Sequence, residues 1–203
     1  MQITTGIRSI LSNPLVYSTL QNLMGAKQGY LNFVKYQIRP FDGVNILDIG
    51  CGPGDIVDYL PSVNYWGFDI SEAYISQAKK KYGNIAKFEC KYLTVEDLKL
   101  LPKFDVVIAS GVLHHMDDGT VTSFFELAYQ ALKNGGRLVT VDPCFTVDQN
   151  FIARFLISKD RGQNVRDETG YKDLAYQTFN NVRVVVKHKL WIPYTHCFME
   201  CTK

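Results

Sequence analysis

Hydrophobic and polar positions alternate along the chain in two different rhythms, and the change of rhythm marks the architecture. Asn13-Pro14 reads as an N-cap followed by a first helical position, and Val16, Leu20, Leu23 and Met24 continue at helical spacing until Gly25. A second short helix carries Leu31, Val34 and Ile38 as its apolar stripe and closes at Pro40. From Val44 onward, short apolar runs alternate with capped amphipathic segments. VNILDIG reads as a strand, PGDIVDYL as a helix, NYWGFDI as a strand, and EAYISQAKKKYG as a helix capped by Ser71. The alternation continues through AKFEC, a short helix with Thr94 and Asp97 in capping-box spacing, and the strand FDVVIA. A longer helix is predicted from about Thr120 to Lys133, ended by Gly135-Gly136, with RLVTV as the fifth strand.

Strands joined by helical crossovers run parallel, so this order predicts a doubly wound α/β sheet with helices on both faces. The rhythm breaks near the end of the chain. VRVVVKHKL and THCFMEC are separated only by a turn around Trp191 to Tyr194, too short for a parallel crossover. The last strand is therefore expected to be antiparallel and paired as a hairpin, in a mostly parallel seven-stranded sheet. Between the fifth strand and that hairpin, Asp142 to Phe179 exceeds what a crossover needs. Beside a helix at YKDLAYQTF, residues 144–168 are expected to form a lid-like insertion, and residues 1–40 a helical cap, within one domain spanning 1–203.

Composition narrows the class. The 203 residues are 46% hydrophobic and 21% charged, enough apolar surface for a single core and too much for long disorder. The formal net charge is +2 and evenly spread, with no basic stripe, so nucleic acid is not an expected partner. The N-terminal stretch lacks the apolar centre of a signal peptide, no stretch approaches a membrane span, and the five cysteines, odd in number and without a C-x-x-C pair, favour a reducing cytosol. A zinc site from Cys144, His188, His196, Cys197 and Cys201 is disfavoured because the spacing matches no common ligand frame.

The sharpest local feature is ILDIGCGPGDI, where a strand ends at Asp48 and Gly50, Gly52 and Gly54 follow at alternate positions. Glycines there permit a tight turn and close approach to a ligand, and a following helix would present free N–H groups. Asp48 either contacts ligand or holds the glycine turn. Asp69, twenty-one residues further on at the tip of the second strand, is placed to accept the hydroxyls of a ribose. The third glycine of a dinucleotide fingerprint falls on Asp55, a carboxylate where a pyrophosphate would pass, so the pattern suits a nucleoside with a cationic or zwitterionic tail.

LDIGCGPG, Asp69 in YWGFDIS, FDVVIASGVLHHMDD, KNGGRLVTVDP and the terminal hairpin together resemble a class I S-adenosylmethionine-dependent methyltransferase over roughly residues 40 to 203. The resemblance implies a Rossmann-like fold with S-adenosyl-L-methionine as cofactor. It implies that Gly50, Cys51, Gly52 and Gly54 form the loop beside the methionyl portion, that Asp69 and Ile70 border the ribose, and that Ser110 and Gly111 line the floor. Many relatives carry an acidic residue after the third strand for the adenine amino group. Here that stretch reads Glu89, Cys90, Lys91, Tyr92, Leu93, and Tyr92 or Leu93 is expected to pack on the ring instead.

His114 and His115 stand where the resemblance puts the acceptor pocket. Either could take a proton from the acceptor, with His115 preferred, or one imidazole could only pack beneath the cofactor. Asp117 and Asp118 are expected to cap the next helix, Tyr17 and Tyr30 to join the core or close over the site, and the lysine run 79–81 to complement a helix dipole. Arg154, Arg161 and Arg166 either meet an anionic substrate or form a solvated lid face. The activity implied is methylation of a small-molecule acceptor at oxygen, nitrogen or carbon. The alternatives are aminopropyl transfer in the same pocket, disfavoured because SGVLHH has no carboxylate before Asp117, or a non-catalytic S-adenosylmethionine-binding accessory protein.

Overall fold

The computed structural model describes residues 26–160, 162–189 and 193–203. The first helix expected from Asn13, together with Tyr17, Arg161 and Trp191, lies outside these residues. The described chain opens with helix α1 (Ala26–Phe33), which continues as one π-helical stretch over Val34–Ile38 and stops at Arg39, in the left-handed region at φ 48° just before Pro40. Phe33, Val34 and Ile38 face the core, but Leu31 points outward at 40% exposure, because the widened turn shifts the buried stripe away from it.

The sheet follows as expected: β1 (Asn45–Ile49), β2 (Asn64–Asp69), β3 (Lys87–Cys90), β4 (Phe104–Ser110), β5 (Leu132–Phe145), a two-residue β6 (Arg166–Asp167), β7 (Asn181–Lys189) and β8 (Tyr194–Thr202). The seven-stranded path runs β3-β2-β1-β4-β5-β8-β7, with β6 paired to β5 beside it. β1 to β5 are mutually parallel, whereas β8 is antiparallel to both β5 and β7. Neighbouring positions of the central strands feed opposite faces. Leu47, Val107 and Leu138 join a core with α4 (Asp118–Ala131) and α6 (Glu168–Tyr176), while Ile46, Val106 and Val139 join one with α1 and α2 (Glu72–Tyr82). Burial on both faces explains why these strands read as continuous apolar runs. Each fully buried Leu, Ile or Phe contributes about 1.5–3 kcal/mol, so this double core dominates the stability of the fold.

Caps at Ser71, whose hydroxyl accepts from the Tyr74 amide, and at Thr94, whose reciprocal box with Asp97 opens α3 (Val95–Leu98), agree with the sequence pattern. Four expectations need correction. PGDIVDYL forms a single 3-10 stretch, Asp55–Tyr59, not an α-helix, because Gly54 precedes it in the left-handed region and Leu60 turns extended before Pro61. The helix placed at Thr120 to Lys133 begins instead after the Asp117 cap and ends at Ala131. Gly135-Gly136 lies inside β5, in a register shift where Gly135 (φ 77°) donates to the Lys203 carbonyl and Lys203 donates back to Gly136. Likewise α6 starts at Glu168 behind the Asp167 cap, and Phe179 packs beyond its end. The long connection contains α5 (Phe151–Ser158), which buries Ala153 and Ile157 and leaves Phe151 and Phe155 exposed.

Candidate active site

The order of strands reverses between β1 and β4, and in open α/β sheets the crevice at such a reversal, beyond the carboxyl ends of the strands, is where ligands sit. The glycine loop leaves β1 there and is drawn across to β2, since the amides of Gly50 and Cys51 both donate to the Phe68 carbonyl, at 2.7 and 3.1 Å. Gly50 (φ 77°) must be glycine for two reasons: its backbone is left-handed, and a Cβ would lie 2.6 Å from Val112 Cγ2. Gly52 (φ 55°) differs, because a Cβ there would meet nothing within 4 Å. The loop therefore turns one glycine against the protein and another toward open space.

Two carboxylates hold the loop. Asp69 accepts from the Gly52 amide at 2.9 Å and from the Ser71 amide at 2.8 Å, so it ties the loop to the start of α2. Asp48 is only 3% exposed; its Oδ2 accepts from the Tyr65 hydroxyl at 2.7 Å and its Oδ1 has no hydrogen-bond partner. Burial pushes its carboxyl up to about 7, against the Tyr65 hydrogen bond that lowers it, with the Asp69 charge adding to the rise. Cys51, half-buried between the two, has its thiol pushed far upward by burial and by both aspartates, which disfavours the thiolate.

Around this cradle Ile70 is 59% and Tyr92 73% exposed, apolar surface at the carboxyl ends of β2 and β3. Leu93, expected on the adenine ring, instead points into the core with Phe68, leaving Tyr92 and Ile70 as the apolar side chains that face outward there. Ser110 ends β4 and Gly111 (φ 71°) follows it, its amide donating to the Val141 carbonyl at 2.7 Å. An open face where Gly52 lacks a side chain, a carboxylate at Asp69, an unpartnered buried Asp48 oxygen and exposed apolar side chains fit a nucleoside with a cationic tail.

The histidine pair occupies a 3-10 turn, Leu113–His115, just past that floor. His114 is 5% exposed and held at both ring nitrogens, with Nδ1 2.8 Å from Asp142 at the end of β5 and Nε2 3.1 Å from Asp160 after α5. Burial alone would lower its pKa, but the hydrogen bonds and charges of the two carboxylates outweigh this and push it up to about 9. Asp160, in turn, is held well below the usual carboxylate range: burial opposes the charge, but His114, the Gly162 amide and the Tyr194 hydroxyl stabilise it. His115 is half-buried, its ring centroid 4.0 Å from that of His114.

The turn is braced from below. Asp117 caps α4 through the Thr120 amide, while the Arg166 guanidinium meets Asp118 at 2.6 Å and donates to the carbonyls of Leu113 and Met116. Arg166 is therefore spent on the fold, not presented to an anion. Tyr30 stacks on Tyr59, Arg154 lies over the Phe145 ring, and Lys81 forms an ion pair with Asp58. Among the described residues no group of three or more His, Cys, Asp and Glu side chains is arranged to hold a metal ion, and no helix is long and apolar enough to cross a membrane. His188 pairs with Thr195, and Cys197 with Cys144. Asp160 and Tyr194 lie in none of the motifs, and Asp142, although inside KNGGRLVTVDP, carries no spacing that ties it to His114, since the three come from distant segments.

Fold and site together define a Rossmann-like nucleoside-binding domain. Residues 47–138 match the methyltransferase domain family. An O-methyltransferase, cnsE, of Penicillium expansum is 30% identical over 158 residues, covering 68% of this chain and 56% of the relative. Malonyl-[acyl-carrier protein] O-methyltransferase 1 of Ilyobacter polytropus is 24% identical over 164 residues, covering 70% and 60%. Magnesium protoporphyrin IX methyltransferase from Synechocystis, solved with bound SAH, superposes with a TM-score of 0.64 at 19% identity, covering 89% of this chain and 84% of that one. These likenesses support a class I S-adenosylmethionine-dependent methyltransferase, and the chain spans under two thirds of the length of the two curated relatives.

Proposed function

We propose that this domain transfers a methyl group from S-adenosylmethionine to a small-molecule acceptor. The observation that carries the reading is the cradle at the β1/β4 reversal, in which Gly52 offers bare backbone and Asp69 a carboxylate within one loop, with the histidine turn next to it. The cofactor, when bound, supplies an electrophilic methyl on a cationic sulfur. Asp69 holds the ribose hydroxyls, Gly50, Gly52 and Gly54 shape the loop beside the methionyl portion, Ser110 and Gly111 form the floor, and Ile70 and Tyr92 cover the base.

The protein's main task is then to align the acceptor and exclude water, worth about 7–11 kcal/mol, while proton removal adds a factor of roughly 10² to 10⁴. His115 is the base in this reading, because both nitrogens of His114 are already committed to carboxylates. The O-methyl transfer named for both curated relatives makes a hydroxyl or carboxyl oxygen the first acceptor to test. The even charge supports a small acceptor over a polyanion, and the free thiols of all five cysteines suit a cytoplasmic setting.

Titration calorimetry with S-adenosylmethionine, SAH and NADH tests the cofactor. Asp69→Ala should weaken S-adenosylmethionine by at least about 100-fold, since two hydrogen bonds to a charged acceptor are worth about 1.5–3 kcal/mol each. Binding of NADH alone, or an unchanged affinity in Asp69→Ala, would overturn the assignment. Label from the cofactor methyl, followed into fractionated metabolites, identifies the acceptor.

A further inference from the structure

The connection between α5 and β6 is fastened to the histidine turn at several points. Asp160 meets His114 Nε2 at 3.1 Å, the Asn164 amide donates to the His114 carbonyl at 3.0 Å, and Arg166 ends on carbonyls either side of the histidine pair. Gly162 passes so close that a Cβ on it would lie 2.0 Å from the His114 ring. Tyr194, at the start of β8, donates its hydroxyl to the far oxygen of Asp160 at 2.7 Å and also lines a cavity of about 200 Å³ with Ala153, His188 and Thr195. Elements far apart in the chain thus converge on one imidazole.

We infer that His114 is a positioning residue, a latch that holds Asp160 and residues 162–166 against the turn bearing His115 and so sets where His115 stands toward the acceptor. The inference rests on the methyltransferase reading for what His115 does, but not for the latch itself. Its physical basis is donor counting. A neutral imidazole carries one N–H and can satisfy only one of two carboxylates; the imidazolium carries two and satisfies both. Removing the proton leaves a lone pair facing either Asp142 or Asp160, and Asp160 is the partner on the movable side, since Asp142 belongs to the central strand β5 and also accepts from the His114 backbone amide. The other groups bearing on the pair are His115 tilted against the ring, Arg166 below the turn, Tyr194 behind Asp160, and Tyr171 and Cys197 toward Asp142. Burial opposes charge both on the imidazole and on Asp142, whose carboxyl it raises against the His114 hydrogen bond, but the two carboxylates together hold the proton on His114 and keep the latch closed at neutral pH.

Limited trypsinolysis tests this on the ligand-free protein, because exposed Lys159 lies next to Asp160. Cleavage after Lys159, normalised to a free peptide of the same sequence, should stay low up to about pH 8 and rise at least ten-fold by pH 9.5. Asp160→Ala should be cleaved at least ten-fold faster than the native chain at pH 7 and show no further rise. His114→Gln, whose amide can serve only one carboxylate, should behave the same way, and Asp160→Ala serves where the histidine variant does not fold. A native profile flat from pH 6 to 9.5, or a variant as protected as the native chain, overturns the latch. S-adenosylmethionine titration of the same samples reports separately on the reading beneath it: a chain that latches but binds no cofactor refutes the methyltransferase and leaves the latch standing.

Discussion

Replacing His114 with glutamine should change how the stability of the protein depends on pH, and the size of the change follows from the clamp. His114 ionises near 6.5 when unfolded and near 9 when folded. Because the folded value is the higher one, its stabilising contribution is complete below pH 6.5 and disappears as the pH rises through about 9. At about 1.4 kcal/mol per pH unit, that interval corresponds to on the order of 3 kcal/mol. The ring is 5% exposed, so solvent screening removes little of it. Urea denaturation of the native chain and His114→Gln at pH 6.5, 7.5, 8.5 and 9.5 gives two stability curves. Their difference cancels groups that do not touch His114 or its two carboxylates, such as Asp48. It should shrink steadily by about 3 kcal/mol, or roughly 6–12 °C in melting temperature for a chain of this size. Parallel curves would refute the doubly paired imidazolium. A difference that grows with pH would mean that burial outweighs the carboxylates.

Two other outcomes follow from the glycine loop. Gly50→Ala should lose about 2 kcal/mol or more of stability in chemical denaturation, from left-handed strain plus the clash with Val112, whereas Gly52→Ala should cost only about 1 kcal/mol yet weaken S-adenosylmethionine measurably in calorimetry. Asp48→Asn keeps the shape beside Tyr65 and removes a buried charge. Since the folded Asp48 ionises near 7 instead of its ordinary 3.8, the native chain is penalised increasingly as pH rises between these values, and thermal melts should show the variant gaining on it from pH 4.5 to 8.

Much of the cofactor side was legible because its signals are local. A glycine loop, a strand-end aspartate and a Ser-Gly pair each declare themselves within a few residues, since tight turns and strand ends have their own chemistry wherever they occur. The same locality made the crossover order and the terminal hairpin readable. It failed where neighbours competed: PGDIVDYL carries an amphipathic pattern, but left-handed Gly54 and the extended chain at Leu60 leave room for only a 3-10 stretch. The glycine pair after α4 looked like a helix stop, yet it is the bulge of a strand that the chain terminus stitches in place.

Sequence by itself thus determined the doubly wound sheet, the glycine loop with Asp69 and the presence of two histidines beyond β4, because each follows from periodicity or from residues adjacent in the chain. Only the tertiary structure decided what those histidines meet. His114 meets Asp142 across the sheet and Asp160 across a long connection, and the proton it carries is set by the sum of burial and two charges brought together by folding. No spacing along a chain encodes that sum, since electrostatic energy depends on distance in space and on how much water the fold excludes.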